Sequence, residues 1–205
     1  MCIRDRHSGE EMSSMKKYEL TEETKIIGDK MLFRIRALRS FGDIKAGDLG
    51  GFIENERNLS HEGNAWVEDN ARVDGDARVD GDAWVGGDAW VGDNAQVGGN
   101  AQVGGDAWVD GDAWVDGDGL INSNNDYLCE KGLGSHNRSA SFFKCKDGHI
   151  HVLCGCFSGN LDEFENKVKE EHGNSKYAKE YLGFIEVVKT HFEAVSYTHL
   201  RAHET

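Results

Sequence analysis

Side chains able to do chemistry gather at three places. Residues 145–156 hold Cys145, Cys154 and Cys156 together with His149 and His151, a thiol and imidazole set of the kind that binds zinc. Spacing decides whether they can meet. Asp147-Gly148, between SASFFKCK and HIHVLCGC, is a signal for a two-residue type I′ turn. Such a turn pairs 145 with 150, 143 with 152 and 141 with 154. Phe143, Cys145, Ile150, Val152, Cys154 and Cys156 then share one face, and Phe142, Lys144, Lys146, His149, His151 and Leu153 take the other. Cys145 and Cys154 would lie roughly 13 Å apart along the strands, too far for two thiolates that must each sit about 2.3 Å from one zinc. The expectation is small buried cysteines in a core, with no metal and no cofactor. The second place is a set of Asp-Gly-Asp triplets at 74–76, 80–82, 110–112 and 116–118. These could chelate a cation, but aspartate also favours solvated turns, and that is the reading taken. The third is a column of tryptophan and arginine, Trp66, Arg72, Arg78, Trp84, Trp90, Trp108 and Trp114, each directly before a valine.

That column belongs to a repeat. From Asn64 the chain runs in units of six, with valine at 67, 73, 79, 85, 91, 97, 103, 109 and 115, Ile121 continuing the column, and alanine two residues before each valine. The pattern resembles the hexapeptide repeat of left-handed parallel β-helices. The resemblance implies a triangular coil closed by three units, valine and alanine inward, left-handed coiling, and frequent side-by-side trimers. Left-handed corners suit Gly and Asn. With 18 residues per coil, one face carries Trp66, Trp84, Gln102 and Leu120, a second Arg72, Trp90 and Trp108, and a third Arg78, Gln96 and Trp114. All five tryptophans should point outward, and Arg72 should lie on Trp90 in a cation–π contact of about 0.5–1 kcal/mol. Asp76 should stack on Asn94 and then Asp112, an alternation that keeps like charges apart.

The flanks must seal and extend this prism. Residues 15–63 read as an N-terminal β cap, opening with a polar stretch and then a strand-like run from Met31 to Leu38. Ile53 and Leu59 fall on the alanine column extended backwards, so coiling begins before the clear repeats. Residues 122–137, rich in Gly and Asn, read as a linker, and 138–193 as a small ββαα unit. In its first helix Asn160 is the cap with Glu163 in capping-box position and Leu161, Phe164 and Val168 as the apolar stripe; Tyr177, Tyr181, Ile185, Val188 and Phe192 form that of the second. The ends are read as foreign. Met1-Cys2-Ile3-Arg4-Asp5, written ATG TGT ATA AGA GAC, has a reverse complement encoding Val195-Ser196-Tyr197-Thr198-His199. Residues 1–14 and 194–205 therefore look like translated adapter sequence, with Met15 as the natural start.

A net charge of −14 disfavours nucleic acid and anionic lipid, which require clustered Lys and Arg. No apolar run is long enough to span a bilayer and no export signal is visible, so a cytoplasmic protein with reduced cysteines is expected. The segments Gly47-Asp-Leu-Gly-Gly-Phe-Ile53, Lys146-Asp-Gly148 and Cys154-Gly-Cys-Phe157 resemble a group of phage and prophage proteins of unknown function. Hexapeptide acyltransferases and γ-class carbonic anhydrases need histidine on or beside the coils, whereas residues 64–121 contain no histidine, cysteine or lysine. His61 alone stands near, and reads as part of the cap. The function expected is a non-catalytic binding or scaffold protein, mainly β, presenting its Trp and Arg ladders to a protein partner or to itself as a homotrimer. Two alternatives stand beside it: sequestration of a small ligand between subunits, and a hexapeptide-type acyltransferase.

Overall fold

The computed structural model describes residues 16–201 except 135 and 137, with side chains described as far as 193. The reading of residues 1–14 as foreign lies outside the described residues, as do residues 202–205. Strands β1 (Tyr18–Ile27), β2 (Lys30–Ala37) and β3 (Leu49–Ile53) precede the repeat. Strands β4 to β13 are two-residue rungs: Trp66–Val67, Arg72–Val73, Arg78–Val79, Trp84–Val85, Trp90–Val91, Gln96–Val97, Gln102–Val103, Trp108–Val109, Trp114–Val115 and Leu120–Ile121.

These rungs stack in parallel as a β-solenoid. Trp66 pairs with Trp84, Arg72 with Trp90, and Arg78 with Gln96, so the three faces expected from an 18-residue coil are the three that form. The repeat explains why. Every valine and alanine of the columns is buried, filling the prism, while coil-to-coil bonds such as Trp84 N–H to Ala101 O (2.9 Å) satisfy the backbone. Corners demand a left-handed residue. At Gly75 (φ +67°) an added Cβ would stand 2.9 Å from Asp93 O on the next coil, so bulk is excluded as well as strained. Asp69 and Asp93 hold the same conformation without being glycine. Asn64 and Asn94 donate to Asp82 (2.8 Å) and Asp112 (3.0 Å) one coil on, the stacking expected of alternating amide and carboxylate.

At the N-terminal end the cap holds more strand than its sequence suggested. Tyr18–Ile27, read as a polar stretch, is a ten-residue strand antiparallel to β2, its polar residues lying on an exposed sheet face. Strand β3 pairs with β2 on one side and lies parallel on β5 on the other, so the second solenoid face becomes a six-stranded sheet, β1-β2-β3-β5-β8-β11. Coiling does begin early, but in a different register. Ile53 stands beside Val73 and Leu59 beside Val79, so both occupy the valine column instead of the alanine column, because the joining coil is longer than the regular one.

The C-terminal unit contains the expected hairpin and two helices, with two further strands. Its elements are β14 (Tyr127–Leu133), β15 (Arg138–Lys144), β16 (Ile150–Cys154), β17 (Phe157–Asn160), α1 (Leu161–His172) and α2 (Lys176–Arg201). Residues 127–133, read as linker, thus form a strand on β15. The capping box of Asn160 with Glu163 forms as expected. The hairpin register does not. Lys144 pairs with Ile150, Phe143 with His151, and Phe142 with Val152, one residue from the expected alignment. Cys145 N–H donates to His149 O and Gly148 N–H to Cys145 O, both at 2.9 Å, and Gly148 has φ +88°. The loop is therefore three residues long, with Gly148 as its left-handed bulge, a use of Asp-Gly that competes with the two-residue turn. A one-residue slip exchanges the faces. Phe143, Cys145 and Leu153 now close the open end of the solenoid and join its core, while Ala140, Phe142, Val152 and Cys154 pack with Phe164, Tyr181 and Ile185 of the helices.

Candidate functional site

All five tryptophans leave the prism outward, but the chain treats them in three ways. Trp66 is buried, against the expectation of an exposed ladder. The cap covers it: Phe41 and Tyr18 meet its ring edge-on at 5.4 and 6.5 Å, and Gly50 crosses so close that a Cβ there would stand 2.6 Å from the indole. Trp84 and Trp90 are half-buried. Their rings fold back over Gly86 and Gly92, where an added Cβ would fall 2.1 and 2.4 Å from ring atoms, and their indole N–H groups donate to Glu68 (2.7 Å) and Asp74 (2.6 Å). Trp108 and Trp114 are followed instead by Asp110 and Asp116, so the glycine over which Trp84 and Trp90 fold is missing there. Their rings stay 52% and 42% exposed, and neither indole N–H has a partner among the described residues.

The arginines do not complete a ladder. Arg72 neighbours Trp90 in register, yet no cation–π contact joins them among the described residues. Trp90 is turned away by its bond to Asp74, which is buried and paired with Lys30 of the cap, and by the edge of Trp108 at 5.0 Å. Arg78 is exposed on the third face, beside Gln96. Of the seven residues expected to present a surface, Trp108 and Trp114 are the aromatic pair that remains most available. They flank one corner, Asp110 to Asp112, on the last full coil. Lys131 and Asn94 bond the exposed Asp112 carboxylate and hold its pKa below the ordinary value.

A groove of about 580 Å³ runs between the cap and the first face, with Phe41, Trp66 and Trp84 as its apolar wall and Asp43, Glu68 and Asp82 among its carboxylates. His61 does not line it. Its Nδ1 accepts the Lys17 N–H at 3.3 Å and its ring stacks on Tyr18 at 4.3 Å, while burial lowers its pKa, so it is a neutral part of the cap. Lys17 is buried, donates through Nζ to Ala65 O at 2.7 Å, and is pushed down to about 8, first by burial and then by Arg39. It caps a carbonyl that the first coil would otherwise leave unsatisfied.

The altered hairpin register also places Cys145, His149 and His151 on one face, a juxtaposition that sequence reasoning missed because Asp147-Gly148 fits two loop lengths. Among the described residues no helix is long and apolar enough to cross a membrane.

No family model matches the chain. A 61-residue stretch is 39% identical to YdcK of Escherichia coli (strain K12), described as an uncharacterized acetyltransferase, and covers 26% of this chain and 19% of that protein. The chain thus spans about a fifth of the length of that curated relative. The likeness accords with a hexapeptide-repeat solenoid.

Proposed function

We propose that the protein is a non-catalytic binding module that docks a basic protein surface on the Trp108–Trp114 corner. The observation that carries this reading is the contrast within one column. Trp66, Trp84 and Trp90 are covered or hydrogen-bonded, while Trp108 and Trp114 are exposed, with indole N–H groups that meet no partner among the described residues, on either side of an acidic corner. Aromatic residues are favoured anchors at interfaces, and an indole face beside carboxylates suits Lys or Arg through cation–π and ionic contacts. The net charge of −14 steers such a partner toward the protein. The GDLGGFI and KDG…CGCF segments favour a phage or prophage setting, in which the partner is a phage or host protein.

The relative's description favours a second reading, acyl transfer. Against it, residues 64–121 offer no histidine to act as base, and the carboxylates of the 580 Å³ groove repel the phosphates of coenzyme A. The same groove, aromatic and acidic, suits a cationic small molecule better than an anionic one.

The test is retention of partners from host lysate by the wild type and by a Trp108→Ala, Trp114→Ala double variant, read with sedimentation mass and acetyl-CoA turnover. The expected result is a partner eluted by salt and lost in the double variant, whose circular dichroism shows the solenoid intact. A trimer that falls apart in the double variant would assign the corner to self-association, and acetyl-CoA turnover would overturn the reading.

A further inference from the structure

The register that closes the solenoid brings three strong metal ligands to one point. Cys145 Sγ and a ring nitrogen from each of His149 and His151 lie within 4.8 Å of one another. His149 Nε2 and His151 Nδ1 face each other at 3.5 Å. Each outer nitrogen is already engaged: His149 Nδ1 against the Asp147 carboxylate, and His151 Nε2 against Ser158 Oγ at 3.0 Å. A carboxylate only accepts, so the proton of a neutral His149 sits on Nδ1 and its Nε2 lone pair points into the cluster. That pairing is the one that orients metal-bound imidazoles. The separation of 3.5 Å is long for a bond between two rings. It is close to the edge of about 3.3 Å of a tetrahedron built with zinc–nitrogen bonds of about 2.0–2.1 Å.

The geometry points to a site for a zinc-class divalent ion held by Cys145 Sγ, His149 Nε2 and His151 Nδ1. Its fourth position opens on a cleft of about 590 Å³ that Asp118 and Glu163 also line. On binding, the metal–sulfur bond replaces the Cys145 S–H bond and the proton leaves to solvent. Asp118 and Asp147 add the negative potential that a divalent cation requires. The ion would sit at a joint, since Cys145 bridges to Gly119 and Lys146 N–H donates to Asp118 O at 3.0 Å. It would therefore rivet the hairpin loop to the last coil.

The experiment uses the full chain, reduced and stripped of metal, titrated with Co²⁺ and then with Zn²⁺. One equivalent of Co²⁺ is expected to give the visible bands of a tetrahedral ion and a near-ultraviolet thiolate-to-metal band, both abolished by Zn²⁺, with a rise in melting temperature. Cys145→Ser should lose the thiolate band and Cys156→Ser should keep it. Because Cys145 is buried and its variant could unfold, exposed His149→Ala is the second arm, with Asp147→Asn, and circular dichroism checks both folds. Asp147→Asn should weaken binding by about 10–100-fold, and His149→Ala, which removes a ligand, by more. No saturable Co²⁺ binding, or undiminished affinity in His149→Ala, would overturn the site.

Discussion

At the N-terminal end of the solenoid, β3 lies on the first coil as one more rung, and its N–H groups bond to coil carbonyls, as Phe52 N–H does to Ala71 O at 2.9 Å. At the C-terminal end no strand among the described residues continues the stack. The last N–H groups are met by side chains instead, Trp108 by Asn124 Oδ1 (2.7 Å) and Trp114 by Ser141 Oγ (2.9 Å), while Phe143 and Leu153 plug the apolar bore. One end is closed by extending the sheet and the other by a lid of side chains. A sheet extension spreads its hold over many backbone bonds, whereas a lid concentrates it in a few large residues. The two ends should therefore fail differently.

The largest effect is expected at the lid. Phe143→Ala removes a fully buried ring from the mouth of the bore and should cost about 3–5 kcal/mol. Hydrogen exchange checks where this falls: protection should drop first at β12 and β13. Equal loss at both ends would break the contrast. A middle-sized effect is expected at the N-terminal cap, from Lys17. Its folded pKa, about 8, lies below the ordinary lysine value of 10.5, so between these values the unfolded chain binds more protons and stability rises with pH. Denaturation from pH 8 to 10 should show wild type gaining on the order of 1–2 kcal/mol relative to Lys17→Met, the figure being reduced for screening by solvent. A flat difference would mean that Lys17 is charged at no cost. The smallest effect lies between the ends. Asp93→Gly relieves a left-handed aspartate at a corner (φ +55°) and should stabilise by about 0.5 kcal/mol, read as a small rise in melting temperature, without favouring either end.

The coils were legible because each valine repeats the same decision, and an error at one unit is corrected by its neighbours. Faces and rung pairing from Trp66 to Ile121 came out as the 18-residue rule requires. Single decisions were less secure. Ile53 and Leu59 kept the six-residue step but changed columns, because one longer coil shifts everything before it. Tyr18–Ile27 hid among polar residues that an exposed sheet face tolerates. Asp147-Gly148 specified a hairpin but not its loop length, and that one residue decided which faces Phe143 and His151 take. For the candidate site, the repeat told on which side each tryptophan emerges. It could not tell what lies over it: Trp66 is covered by residues distant in sequence, whereas the glycines after Trp84 and Trp90, and the aspartates after Trp108 and Trp114, were a local cue to their different exposure.

The three-sided coil also makes the molecule a counting device. Inserting three hexapeptides would add one coil, move the two ends apart by about 4.8 Å and leave their facing unchanged. One inserted hexapeptide would turn the C-terminal lid, with its histidines, by a third of a revolution relative to the N-terminal cap. Repeat gain and loss in units of eighteen is thus geometrically silent, while a change of six re-aims everything mounted on the far end.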